Sequence, residues 1–153
     1  MPDSTIIIGV IGAGSCTADV SGGAQKVGEL IAGRGAMLVC GGLGGVMESA
    51  AKGAFSNGGV TIGILPGDNK DDRSPYISIP IVTDMGHARN VIIAQTADGL
   101  IAIEGGSGTL SEIAISMKLG KPVVSIGKWS QMEGVIAAQT PEEAVEKVFK
   151  LIG

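Results

Sequence analysis

Short, almost continuously apolar runs alternate along this chain with segments whose apolar positions recur at helical spacing. The runs cover residues 6–11, 36–40, 60–65, 79–82, 100–103 and 123–126. Strict alternation would mark strands with one wet face. Unbroken apolar runs mark strands covered on both faces, as in a parallel sheet. A shorter run at 135–138 predicts an edge strand. Helices are predicted over residues 20–32, 46–56, 86–97, 109–119 and 141–152. The last opens with Thr140 as a hydroxyl cap, Pro141 in the first helical position, and Glu142 and Glu143 on the positive end of the dipole.

Strands alternating with helices of this length call for right-handed crossovers. The predicted fold is α/β: a three-layer α/β/α, Rossmann-like, doubly wound and mainly parallel sheet of about six to seven strands. Residues 1–153 are expected to form one domain. Ligands of such folds sit beyond the carboxyl ends of the strands. The one long polar segment, residues 67–78 (GDNKDDRSPYIS), follows the third strand and is expected as a mobile loop on that edge.

Glycine-rich turns follow three of the strands. The first holds Gly12, Gly14 and Ser15, and the second Gly41, Gly42, Gly44 and Gly45 with Glu48 just beyond. The third holds Gly105, Gly106, Ser107, Gly108 and Thr109. Glycine lets backbone approach a ligand closely, and the free N–H groups at a helix start suit an anion such as phosphate. Turn chemistry alone is the competing account. The first turn lacks a dinucleotide fingerprint, because Thr17 stands where the third glycine belongs and no acid closes the second strand. No Walker A lysine follows any of the turns.

Composition narrows the partners. The formal charge is −4 with no basic block, which argues against a nucleic-acid polymer. Cys16 and Cys40 are too few for a disulfide scaffold and lack zinc spacing, so no metal site is expected. Asp3 stands where a signal peptide would be basic, and no run reaches the length of a membrane span. A cytoplasmic protein without a membrane partner is expected. Two helices are apolar almost all round, at Val91–Ala94 and at Ile113, Ala114, Ile115 and Met117. Either neighbouring elements cover them or a second copy does, making a homodimer or a tetramer.

The stretches GGLGGVME (41–48), GHARN (86–90) and EGGSGTLSE (104–112), in this order and spacing, resemble the Lonely Guy (LOG) family, whose members were once mislabelled lysine decarboxylases. The likeness covers nearly the whole chain. It is closer to the short relatives, the molybdenum cofactor carrier proteins and similar Rossmann-like proteins. LOG enzymes hydrolyse a nucleoside 5′-monophosphate to free base and ribose 5-phosphate, using a PGGxGTxxE motif and an arginine on the preceding helix. By this resemblance Glu112 and Arg89 are the catalytic candidates. Glu112 would orient water or stabilise charge developing on the ribose, and Arg89 would position the substrate and the carboxylate. Residues 105–109 would take the phosphate. The carrier relatives bind a phosphate-bearing pterin at a comparable edge without chemistry.

Two positions depart from the enzyme pattern. Glu104 replaces the proline of the motif, and Asn90 follows Arg89 where the enzymes carry lysine. The expected function is therefore binding, as a carrier or sensor, of a nucleotide or molybdopterin-like molecule. LOG-like hydrolysis is the alternative. No cofactor is required, and a bound nucleotide or molybdenum cofactor is the candidate cargo. Three residues keep local readings beside the functional ones. Thr109-Leu-Ser-Glu112 matches a capping box, Glu48 suits a dipole partner as well as a ribose or base contact, and His87 suits the surface as well as a site.

Overall fold

The computed structural model describes residues 5–153. Among these, the chain runs β1 (Ile7–Gly12), α1 (Ala18–Gly33), β2 (Met37–Cys40), α2 (Val46–Ser56), β3 (Thr61–Leu65) and β4 (Ile79–Val82). It continues with α3 (Asn90–Thr96), β5 (Gly99–Ile103), α4 (Ser107–Lys118), β6 (Val123–Ile126), β7 (Ile136–Ala138) and α5 (Pro141–Ile152). The strands form one sheet in the order β4-β3-β2-β1-β5-β6-β7. Every pairing is parallel, so the mainly parallel sheet of the sequence reading is parallel throughout. From β1 the chain winds outward to β4, then returns to β5 on the other side. The switch point lies between β1 and β5, where the two winding directions part.

Alternate residues of the central strands feed two cores. Ile8, Val10, Leu38 and Cys40 face the side covered by α1, α2 and α5, with Val27, Ala50 and Val145 among their partners. Ile11, Val39, Leu100 and Ala102 face the side of α3 and α4, with Ile93 and Ile113. Double burial explains why these strands read as unbroken apolar runs. Glycine also sets the distance between α1 and α2. A Cβ on Gly28 would stand 1.9 Å from the Ala50 carbonyl oxygen, and one on Gly53 1.9 Å from that of Gln25. The two helices therefore meet backbone to backbone.

Three local predictions differ from the structure. The helix expected over 86–97 divides into a 3-10 turn at Gly86–Arg89 and the seven-residue α3. Helix α4 starts at Ser107, ahead of the predicted Thr109, with Gly106 as its cap residue. The polar 67–78 segment is docked: the Ser74 N–H donates to the Gly42 carbonyl at 2.9 Å, and Ile77 is buried. That segment contains only a 3-10 turn, Lys70–Asp72, and packs Tyr76 and Ile77 on the α1–α2 side of the sheet, while β4 lies at the sheet edge with its α3–α4 face partly open. Ile79 and Ile81 share rows there with Ile62 and Ile64, and are 44% and 42% exposed. Of the two apolar helices, Ile93 and Ile113 are buried, while Val91 and Leu119 beside them are each 39% exposed. No helix among the described residues is long and apolar enough to cross a membrane.

Candidate functional site

A cleft of about 250 Å³ opens at the switch point, above the carboxyl ends of the central strands. Its floor is the β1 turn, with Gly12, Ala13 and Gly14. Helix α4 supplies one wall through Gly108, Thr109 and Glu112, with Gly106 at its cap. The opposing wall carries His87, Arg89 and Asn90, and Met47 of α2.

Arg89 is buried at 8% exposure because its neighbours are built around it. Its Nε donates to the Ile64 carbonyl at the end of β3, at 2.9 Å. Its Nη1 donates to Asn90 Oδ1. A Cβ on Gly41 would come within 2.6 Å of Nη2, so only glycine at this position leaves room for the guanidinium. Burial lowers the Arg89 pKa, while Glu112 and the Cys40 thiol raise it. A guanidinium keeps its charge under such pressure.

Glu112 reaches the same cleft from the second turn of α4. The capping box does not form. The helix starts before Thr109, and Gly106 provides no side-chain cap. Thr109 is a buried helical residue whose hydroxyl packs over Gly105, where a Cβ would stand 2.1 Å from Oγ1. Half-buried Glu112 is thus free of cap duty. Burial pushes its carboxyl up to about 7, and the Arg89 charge pulls the other way. A carboxyl poised there exchanges protons near neutral pH.

The third glycine turn opens α4. Ser107, Gly108 and Thr109 carry N–H groups of the first turn, which no side chain caps. Nothing lies within 4 Å of where a Cβ would stand on Gly106, Gly108 or Gly14. Open space, unpaired donors and the positive end of a helix dipole therefore coincide.

Other residues of the glycine turns serve packing. Gly45 has φ +68, and a Cβ on it would meet the Ala13 carbonyl oxygen at 2.2 Å. Val46 N–H donates to that same oxygen at 2.9 Å, closing the start of α2 against the β1 turn. Gly42 lies against Leu65 and Gly63 of β3. Ser15 is exposed, and neither it nor Gly44 lines the cleft. Glu48 points elsewhere: its Oε1 accepts from Ser74 Oγ at 3.1 Å, in a separate hollow with Lys52 and Tyr76. Glu104 also stays out of the cleft. Its Oε1 accepts from the Lys128 N–H at 2.9 Å, toward the end of β6. Sequence reasoning noted Asn90 only as a departure from the enzyme pattern. It is 2% exposed and holds the Arg89 guanidinium, and its place directly after the arginine was the available signal.

Known proteins share this architecture. The molybdenum cofactor binding protein of the phototrophic bacterium Rippkaea orientalis superposes with a TM-score of 0.92 at 38% identity, over 98% of this chain and 99% of that one. The molybdenum cofactor carrier protein of Chlamydomonas reinhardtii superposes with a TM-score of 0.90 at 36% identity, over 97% of this chain and 99% of that one. The cytokinin riboside 5′-monophosphate phosphoribohydrolase of Mycobacterium tuberculosis is 35% identical over 74% of this chain and 66% of its own length. The likeness to the LOG superfamily and to its molybdenum cofactor carrier branch is borne out. With residues 5–151 matching its pattern, the chain belongs to the SLOG cluster4 family.

Proposed function

We propose that this protein is a carrier or sensor that binds a phosphate-bearing small molecule, nucleotide or molybdopterin-like, at the switch-point cleft. The observation that carries this reading is the uncapped start of α4 beside a buried, fixed arginine. The phosphate would lie on the N–H groups of Ser107, Gly108 and Thr109, with Arg89 facing it from the opposite wall. The relatives named for molybdenum cofactor, similar over nearly the whole chain, support the same reading.

The residues fit the phosphate end of such a cofactor. The cleft offers amide N–H groups and a guanidinium, both anion donors. Its lining includes no cysteine, and Cys40 is fully buried beneath. When bound, that cofactor would bring its metal as cargo, and this chain's residues would hold the phosphate and shield it from water. Calorimetric titration of the protein with AMP, GMP and molybdopterin tests the reading. Binding lost on Gly106→Ala supports it, and no binding of any of the three overturns it.

The second reading is LOG-like hydrolysis of a nucleoside 5′-monophosphate, favoured by Glu112, whose carboxyl at about 7 could serve as acid or base. Base release from AMP, GMP, CMP and an N6-modified AMP, followed by chromatography, decides it. Release lost in Glu112→Gln supports turnover, and no release from folded protein overturns it. The exposed apolar residues Ile79, Ile81, Val91 and Leu119 support a homodimer through the α3–α4 face.

A further inference from the structure

On the other side of the β5–α4 turn from the Arg89–Glu112 cleft lies a second hollow of about 250 Å³. It sits between the carboxyl ends of β5 and β6 and the starts of α1 and α5. Val20, Ile103, Ile126 and Pro141 make apolar walls, and Asp19, Glu104 and Gln139 are its polar members. Apolar walls with a few placed polar groups are the usual makeup of a small-molecule site.

Three features mark it as built. Glu104 has φ +52, a left-handed conformation unfavourable to any residue with a Cβ, and such outliers gather at ligand sites. The end of β6 accommodates its carboxylate: a Cβ on Gly127 would stand 2.4 Å from Oε2. The Lys128 N–H holds Oε1 at 2.9 Å, leaving further lone pairs of the carboxylate unused. Gly23 lies inside α1, where glycine is a poor helix former, yet it lines this hollow. The nearest atom to its missing side chain is Pro141 Cγ at 4.0 Å.

The divider between hollow and cleft is low. Gly14 and Gly106 flank it, and neither has any atom within 4 Å of a would-be Cβ. A molecule with its phosphate on α4 can pass its other end over these glycines. Two carboxylates, Asp19 and Glu104, keep a phosphate out of the hollow and so set the ligand's direction.

We infer that this hollow receives the ring of the bound molecule and that Glu104 reads its edge. The matching chemistry is a planar heterocycle with adjacent ring N–H and amino donors, the 2-amino-4-oxopyrimidine edge shared by guanine and pterins. Adenine puts an acceptor nitrogen beside its amino group, which a carboxylate repels. The assignment rests on the phosphate cradle proposed above.

The test is calorimetric titration of wild type and Glu104→Gln with GMP, IMP, AMP, ribose 5-phosphate and a 6-substituted pterin monophosphate. Glutamine keeps the size and the acceptor for the Lys128 N–H. Wild type should bind GMP about tenfold or more tighter than IMP, which lacks the amino group, and than AMP. Glu104→Gln should remove most of that preference and leave ribose 5-phosphate binding unchanged. A second variant, Gly23→Leu, fills the hollow and should weaken GMP but spare ribose 5-phosphate. Tighter binding of the pterin than of GMP, lost in the same variants, identifies the pterin as the source of the edge; the reverse identifies guanine. Equal affinity for GMP, IMP and AMP, or a preference that survives both variants, overturns the ring assignment and leaves the cradle standing. Failure of every phosphate-bearing probe overturns both.

Discussion

Arg89 and Glu112 line one cleft without pairing as ions. The guanidinium bonds instead to the Ile64 carbonyl at 2.9 Å and to Asn90. Among the described residues, ion pairs lie elsewhere, between Arg73 and Asp71, Lys147 and Glu143, and Lys150 and Glu146. Burial therefore dominates Glu112, and its carboxyl rises to about 7 although a cation shares the cleft.

Glu112 should make stability depend on pH. Its carboxyl titrates near 4.5 when unfolded and near 7 when folded, so the native state holds the extra proton between those values. Stability is lost as pH rises through that window, and the loss is complete above the folded value. Glu112→Gln should match wild type at low pH. At pH well above 7 it should be more stable by about 2 kcal/mol, after discounting for partial exposure. Denaturant melts at several pH values would reveal this, and parallel profiles for the two proteins would refute it.

Removing the arginine should move the glutamate. In Arg89→Met the opposing charge is gone, so the Glu112 carboxyl should titrate above 7. Carbon-13 NMR titration would register the change, and an unshifted or lowered value would contradict it. The variant also leaves the Ile64 carbonyl unpaired, which should lower stability by about 1–3 kcal/mol.

The glycines of the turns should divide into two kinds. Gly45 has φ 68 and ψ −134, a region open essentially to glycine alone, and its Cα abuts the Ala13 carbonyl. Gly45→Ala should destabilise the fold by about 2–4 kcal/mol. Gly106 has φ −107, outside the left-handed region, and its missing side chain faces open space. Gly106→Ala should keep the melting temperature and lose phosphate affinity. Loss of stability in the second variant would move Gly106 from the cradle to the scaffold.

The exposed row on the α3–α4 face should hold two copies together. Wild type is expected to sediment as a dimer or larger species. Ile81→Asp or Val91→Asp should shift it toward monomer by burying a charge at the contact. Monomeric wild type at micromolar concentration would remove this assembly.

Cys40 should be chemically silent. Burial raises its thiol to about 11, and the deprotonated form is the reactive one. Thiol reagents at pH 8 should modify Cys40 only on unfolding. Rapid labelling in native protein would contradict its buried position.

Much of this protein was legible in its residues alone. The strands announced themselves because both faces are covered, which makes Leu38-Val39-Cys40 and Leu100-Ile101-Ala102-Ile103 unbroken apolar runs. The N-terminus of α5 was equally plain, since Thr140 and its neighbours cap locally, and Thr140 Oγ1 accepts from the Glu143 N–H at 3.1 Å. The position of the glycine turns at the carboxyl edge followed from strand order. What each turn residue faces did not. The capping-box spacing at Thr109–Glu112 was present, but Gly106 let the helix begin earlier, and burial took Thr109 into the core. Glu48 and Glu112 looked alike as acids beside glycine turns. Only the docking of Ser74 turned one away, and only the packing of α4 against Arg89's wall put the other in the cleft. Local patterns specify what the backbone does within a few residues. Side-chain direction at a site is set by contacts distant in sequence, such as Arg89 with Ile64 and Glu104 with Lys128, and these exist only once the sheet has closed around them.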